Sequence, residues 1–466
     1  MSDRKSYHGL AWIAATAFFM QTLDATILNT ALPAISRSLN ESPLEMQMAI
    51  ISYALTVALF IPLSGWLADK YGTLVIFRLA VGIFVLGSIA CAASDSLNTL
   101  IAARILQGFG GALMMPVARL SIIRSVPKTE LLNAWNIMAM AGLIGPILGP
   151  ILGGWLVTYV SWHWIFLINI PIGLLGIIIA GIYMPNRKAE VRKLDWGGFI
   201  LFAGGLAGLT LGLDLVAENM TSVTTTTIIL VAGLMSLFGY YCYARAVENA
   251  LLPLALFRIR TFRLGFVANL FIRLCGSGIP FLLPLMLQVV FHYSAEIAGW
   301  LMAPIAVSSV MLKAFIRRIL SRFGYKHTLI LASLGMSIVI AAMSLFHQAM
   351  PIWQIIAILI GYGACMSIIF TAVNTLTIGD LPDHYASAGS TMLSVIQQVG
   401  IGVGIAVSSV MLGLYRNAFG ENGEQLQQAF SYTFLTSTVF GLILIIVLSR
   451  LKSHDGEHLQ QRKGRA

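Results

Sequence analysis

About fourteen apolar stretches of roughly 20 residues follow one another along this chain, centred near Phe18, Val57, Phe84, Gly111, Ile144, Leu174, Gly205, Gly233, Phe281, Val307, Met336, Gly361, Gly402 and Phe440. Each is long enough to cross about 30 Å of hydrocarbon as a helix, and the alternation of a barrel strand is absent. In lipid a helix satisfies its own backbone N–H and C=O groups, so a chain with this pattern folds as a bundle of helices. Its 466 residues are 58% hydrophobic and 10% charged, with a mean hydropathy of +0.85, far from the balance of soluble domains. The connections are short, the longest running from Tyr243 to Phe262. They leave no room for a soluble catalytic domain, so the expectation is an all-α membrane protein that is not an enzyme.

Charge gives an independent reading of topology. With the N-terminus in the cytoplasm, all but four of the 29 lysines and arginines fall in cytoplasmic loops and tails. Arg37 and Arg416 fall outside, and Arg104 and Arg273 lie within apolar stretches. The net charge of +10 is therefore a topology signal, and its spread over many loops gives no nucleic-acid footprint. The first stretch carries Asp24 and Asn29 with no small-residue cleavage site close behind, so it reads as a retained anchor, with both termini cytoplasmic.

Cys91, Cys242, Cys275 and Cys365 lie in or near apolar stretches without zinc or disulfide spacing. His163, His292 and His347 fall in outer loops, and His454 and His458 in a polar tail, so no metal site is expected. There is no G-x-x-x-x-G-K-[ST] loop to hold a nucleotide. No cofactor is expected, and energy must come from an ion gradient or from a partner. The sequence names no periplasmic or outer-membrane efflux partner.

Basic loops at Arg187–Lys193 and Arg245–Arg263 bracket two stretches, leaving six before and six after. The expected organisation is an N-terminal six-helix bundle over 1–186, a two-helix insert with cytoplasmic linkers over 187–262, a C-terminal six-helix bundle over 263–450 and a polar tail over 451–466. An internal echo supports two halves: GWLADKYG at Gly65–Gly72 and ILSRFGYK at Ile319–Lys326 each follow the second helix of a half.

Asp24 sits deep in the first stretch, where an ionised carboxylate costs on the order of 3 kcal/mol. It reads as a proton or cation site facing a wet cavity; the plainer alternative is a hydrogen-bonded structural acid. Gln21 shares its helical face, and Asn29 is expected to reach the same cavity. Arg104 lies in ARILQGFGGALMMP, with Gln107, Gly108, Gly111 and Met115 following on one face. It does not deprotonate, so its expected role is to pair with an acid, and Asp24 is the obvious candidate. A permanent pair that only fixes packing is the alternative. The fifth stretch, GLIGPILGPILGGW, combines small residues at intervals of four with Pro146 and Pro150, which remove backbone donors and bend the helix. It reads as a pivot, against the alternative of a packing face. In the second half Arg273, Gln288, Asn374, Gln397 and Gln398 are the polar residues expected to face inward, either as substrate contacts or as bonds between helices.

These motifs resemble the major facilitator superfamily, and within it the fourteen-helix drug:proton antiporter branch of the EmrB/QacA type, with enterobacterial multidrug-exporter-like transporters nearest. The resemblance rests on LDATILNTALP at Leu23–Pro33, GWLADKYG at Gly65–Gly72, AARILQGFGGA at Ala102–Ala112 and GPILGPILGG at Gly145–Gly154. WHWIFLINIPIG at Trp162–Gly173 and LPLMLQ at Leu283–Gln288 also fit. It implies a protonation site at Asp24 with Arg104 as its coupling partner, and a cytoplasmic conformational latch at Gly65, Asp69 and Gly72. It also implies an antiport hinge at Gly145, Pro146, Gly149, Pro150, Gly153 and Gly154. The basic pair that follows the loop glycine in this family is Thr73-Leu74 here, and Arg78 is expected to compensate.

The function expected is a proton-coupled antiporter of the bacterial inner membrane, exporting small lipophilic or cationic compounds by alternating access. A cavity with a single acid and many apolar residues suits such cargo. Export of a specific metabolite, such as an amino acid, sugar or siderophore, on the same fold is the alternative. A transport-inactive sensor is disfavoured by the lack of a cytoplasmic module.

Overall fold

In the computed structural model, residues 2–126, 128–189, 194–218, 223–247, 250, 252–382, 386–420, 422–452 and 454–456 are described. Arg192, Lys193, His458, Arg462, Lys463 and Arg465, counted above in cytoplasmic segments and the polar tail, lie outside them. Every regular element among the described residues is helical.

Among the described residues, fourteen helices are long and apolar enough to cross a membrane. They are α1 (His8–Leu39), α2 (Met48–Tyr71), α3 (Thr73–Ala92), α4 (Leu97–Ser125), α5 (Met140–Tyr159), α6 (Trp164–Tyr183) and α7 (Trp196–Leu213). The remainder are α8 (Thr224–Ala246), α9 (Arg260–Val289), α10 (Ala295–Ile316), α11 (Arg318–Met343), α12 (Ile352–Gly379), α13 (Ala388–Phe419) and α14 (Glu424–Ser449). Large apolar side chains such as Leu86, Ile178, Ile182, Met235 and Phe238 are exposed on them. On a soluble protein that surface would demand a partner; here it is what lipid solvates.

Local sequence explains the breaks. Gly72 takes φ +102 between α2 and α3, and Gly324 takes φ +73 near the start of α11. Each lies within one of the two echoed motifs, and both make a turn that an L side chain rarely adopts. Pro171 has no N–H to give the preceding turn, and α6 is correspondingly interrupted at Ile168, resuming at Asn169. Ser96 caps α4 reciprocally with Thr99, fixing the helix entry two turns before Arg104.

The chain divides into two compact units, one of residues 1–194 with 293–300 and one of 195–292 with 301–466. In the first, α1 packs along α5, and α4 lies against α2 and α3. In the second, α9 packs against α12, α13 and α14, while α7 lies against α8 and α13. Arg119, counted above in a cytoplasmic loop, is instead carried inside α4 and is partly buried, with its Nε lacking an acceptor. The helix runs on to Ser125.

Candidate functional site

The first unit holds a closed polar cluster inside an apolar interior. Asp24 on α1 and Arg104 on α4 are each 1% exposed. Arg104 Nη1 donates to Asp24 Oδ2 at 2.7 Å and to Gln107 Oε1 at 2.6 Å, and its Nε donates to the Ala49 carbonyl at 3.0 Å. The Tyr53 ring lies under the guanidinium, 4.3 Å from Cζ. The other carboxylate oxygen, Asp24 Oδ1, accepts from Gln107 Nε2 at 2.7 Å and from Asn169 Nδ2 at 3.0 Å. Ser88 Oγ accepts from both amides, at 2.9 and 3.3 Å, and donates to the Phe84 carbonyl. Five helices, α1, α2, α3, α4 and α6, thus contribute to one cluster, which explains how a charge at this depth is tolerated: it is paired, and both carboxylate oxygens accept hydrogen bonds.

Of the residues selected from sequence, Asp24, Arg104 and Gln107 meet directly. Gln21 lies one turn before Asp24 and reaches the Gly111 carbonyl at 3.4 Å, at the edge of hydrogen-bonding range. Met115 is buried further along the same face of α4, and Asn29 is partly buried beyond Asp24, outside the cluster's hydrogen bonds. Asn169, Ser88 and Tyr53 were not anticipated as site residues. The signal for Asn169 was a lone amide two residues before a proline in the apolar run LINIPIG.

In the second unit, Arg273 on α9 lies 4.8 Å from the Phe370 ring of α12 and against Gly400 of α13. Gln397 Nε2 donates to Asn374 Oδ1 at 3.1 Å, joining α13 to α12. Gln398 and Gln288 are partly buried on α13 and α9.

At the α2–α3 turn, Asp69 Oδ1 accepts from Arg124 Nη2 at 2.6 Å, linking it to the end of α4. Arg78, expected to compensate for the missing basic pair, does not meet Asp69: its Nε donates to the Ile177 carbonyl of α6 at 3.2 Å. Because α3 begins directly after Gly72, Arg78 is carried more than a turn up the helix, away from the loop. Thr73 has a different job. Its hydroxyl donates to the Pro185 carbonyl at 2.8 Å and accepts the Arg187 N–H, while Asn186 Oδ1 accepts the Leu74 N–H. The strand of chain leaving α6 is therefore fastened to the start of α3. Gly65 leaves open space where a Cβ would sit, whereas a Cβ on Gly72 would strike Asn186.

The glycines of α5 form a seam with α1. Added Cβ atoms at Gly145, Gly149 and Gly153 would meet Thr22, Thr26 and Thr30, whose spacing of four matches their own. Thr26 donates to the Gly145 carbonyl and Thr30 to that of Pro150, each at 3.3 Å. Gly154 faces the Ala295 carbonyl, and Tyr159 beyond it donates to Glu296 Oε2 at 2.9 Å, both in the same unit. Pro146 and Pro150 interrupt the backbone ladder within this seam. Among the described residues no group of three or more His, Cys, Asp and Glu could hold a metal.

Fourteen crossing helices, with a buried charge pair at the meeting point of five of them, define a polytopic membrane carrier. The chain belongs to the Major Facilitator Superfamily, whose sequence profile matches residues 14–405. It is a multi-pass protein of the bacterial inner membrane that moves small molecules across the bilayer by alternating access. It is 60% identical over 460 residues to the "Probable transport protein HsrA" of Haemophilus influenzae, covering 99% of each chain. It is 42% identical over 441 residues to the "Putative multidrug resistance protein MdtD" of Serratia proteamaculans, covering 94% of this chain and 91% of that one. In fold it is similar to a POT family transporter in complex with 5-aminolevulinic acid, at TM-score 0.68, 15% identity and coverage of 95% and 96%. The nucleoside transporter NupG gives TM-score 0.66 at 13% identity, covering 96% of this chain and all of that one.

Proposed function

We propose that the protein is a proton-coupled antiporter exporting small organic compounds, with Asp24 as the proton carrier and Arg104 as its coupling partner. The observation that carries this reading is the buried Asp24–Arg104 contact at 2.7 Å. An ionised Asp24 satisfies Arg104, Gln107 and Asn169 together; a proton on the carboxyl removes the counter-charge and one acceptor position, leaving a buried cation short of a partner. That difference gives the two protonation states different preferred packings, which is what coupling requires. One charge moving through 100 mV is worth about 2.3 kcal/mol, enough to sustain a gradient of about 50-fold.

Around this pair the reading assigns Asp69–Arg124 and the Gly65–Gly72 turn to a cytoplasmic latch, and the α1–α5 seam to the hinge. Its domain plan is two six-helix bundles over 1–186 and 263–450, joined by the 187–262 insert, with both termini cytoplasmic. The multidrug resistance names of relatives support lipophilic or cationic cargo. Arg273, a cation in the second unit, favours a second reading of the cargo as a metabolite with an acidic group.

Reconstitution into proteoliposomes with an imposed pH gradient, scanning cationic dyes and organic metabolites, tests the reading. Accumulation that follows the proton gradient is expected; accumulation indifferent to it would refute antiport.

A further inference from the structure

Arg273 stands thirteen residues into α9, roughly 20 Å along the helix axis from its start, at a depth where a guanidinium normally finds a carboxylate. Here it does not. Ion pairs among the described residues include Asp24–Arg104, Asp69–Arg124 and Arg260–Asp455, and none of these involves Arg273. Arg273 Nε is sealed from solvent without an acceptor, while the residue as a whole keeps some accessible surface. The contrast with Arg104 is instructive, because that arginine has its charge met by Asp24 and its Nε by a carbonyl.

The surroundings of Arg273 are shaped and neutral. Phe370 forms a shelf 4.8 Å from Cζ. Gly400 gives the side chain its room, since a Cβ there would lie 2.7 Å from Arg273 Cγ. Asn374 lies one turn from Phe370 on α12, and Gln397 one turn from Gly400 on α13, so both share the faces that contain Arg273. Their mutual hydrogen bond leaves the Asn374 amide nitrogen uncommitted. A planar fork of donors beside an aromatic face and a neutral amide matches a carboxylate joined to an apolar, planar body. A lipophilic cation would meet like charge at the same place. A lipid headgroup is excluded by depth, since headgroups lie outside the hydrocarbon that α9 crosses.

We infer that Arg273 receives an acidic group of the transported compound, with Phe370 against its apolar body and Asn374 and Gln397 beside it. The inference rests on the transport reading above and narrows its cargo to organic acids or zwitterions with an apolar part.

The test uses the purified full-length protein in a neutral detergent, with benzoate, benzamide and benzylamine as probes of one shape and three charges, and chloride at matched ionic strength. Thermal unfolding is followed against probe concentration. Benzoate is expected to stabilise the protein at a concentration at least tenfold lower than benzamide, with benzylamine weaker still. Arg273→Gln should erase the preference for benzoate over benzamide, and Arg273→Lys should retain part of it. A wild-type protein that does not distinguish benzoate from benzamide overturns the inference, as does a preference that survives Arg273→Gln. Chloride acting as well as benzoate also overturns it, by making Arg273 the seat of an inorganic counter-ion. The wild-type comparison decides the matter even if Arg273→Gln does not fold. Asp24→Asn keeps the benzoate preference on this account while losing proton-driven transport, so failure of the acid site and failure of the antiport reading give different patterns.

Discussion

Arg104 and Asp24 are 80 residues apart in sequence and 2.7 Å apart in space, and the same guanidinium nitrogen also reaches Gln107, which returns to Asp24. The pair is thus the core of a network in which each carboxylate oxygen has its own donors. Such a network holds one charge state well and the other badly, the property a coupling site needs.

Arg104→Lys retains the charge but cannot reach Ala49, Asp24 and Gln107 from one planar fork. Proton-driven transport should fall at least tenfold while the protein still inserts. Arg104→Ala, which leaves a buried carboxylate unpaired, should also destabilise the fold by about 3–5 kcal/mol. Thermal unfolding of both variants beside transport rates checks this; full activity of Arg104→Lys would argue against a geometrically specific pair.

Asn169→Ala removes a donor to Asp24 Oδ1 and a partner of Ser88. Loss of that buried bond should cost about 1–3 kcal/mol of stability. The gradient-driven rate should fall with it, whereas Asn169→Asp should be worse, since it places a second acid against Asp24. A rate unchanged in Asn169→Ala would remove this residue from the site.

At the cytoplasmic turn, Asp69→Asn or Arg124→Gln should slow transport, and the exchange Asp69→Arg with Arg124→Asp should recover part of it. With about a quarter of each side chain exposed, the pair is worth at most about 1 kcal/mol to stability. The readout is therefore transport and not unfolding. Arg78→Gln should leave the rate close to wild type, because Arg78 bonds to α6 and not to Asp69.

Gly149→Ala would push a methyl into Thr26 across the α1–α5 seam. Overpacking of this kind costs about 1–3 kcal/mol. Combining it with Thr26→Ala should return stability toward wild type. If the seam is also the hinge, transport should stay impaired in the double variant; recovery of both together would reduce the seam to packing.

The fourteen crossings were legible because apolar length is a property of each segment alone, and the Asp24 and Arg104 charges stood out against it. Their contact was a reasonable guess, since each is costly without the other. Asn169 and Ser88 were not legible, because single amides and hydroxyls are ordinary in membrane helices and only the fold brings them to Asp24. Arg124 as the partner of Asp69 needed the register of α4 against α2, which no local pattern carries. Arg78 lies close to Asp69 along the chain, but the helix that starts at Thr73 turns it toward α6. Thr73 and Leu74 looked like the loss of a family feature, yet their backbone and hydroxyl hold residues 185–187 instead.

The central claim, that Asp24 is the group that gains and loses the proton, is open to a measurement that needs no known substrate. Infrared difference spectra of the reconstituted protein, taken between alkaline and acidic buffer, report the C=O stretch of a buried protonated carboxyl. The account predicts a band that appears on acidification in the wild type and is missing in Asp24→Asn. A spectrum with no Asp24-dependent band at any pH at which the protein stays folded would contradict it, leaving Asp24 a permanently ionised structural partner of Arg104.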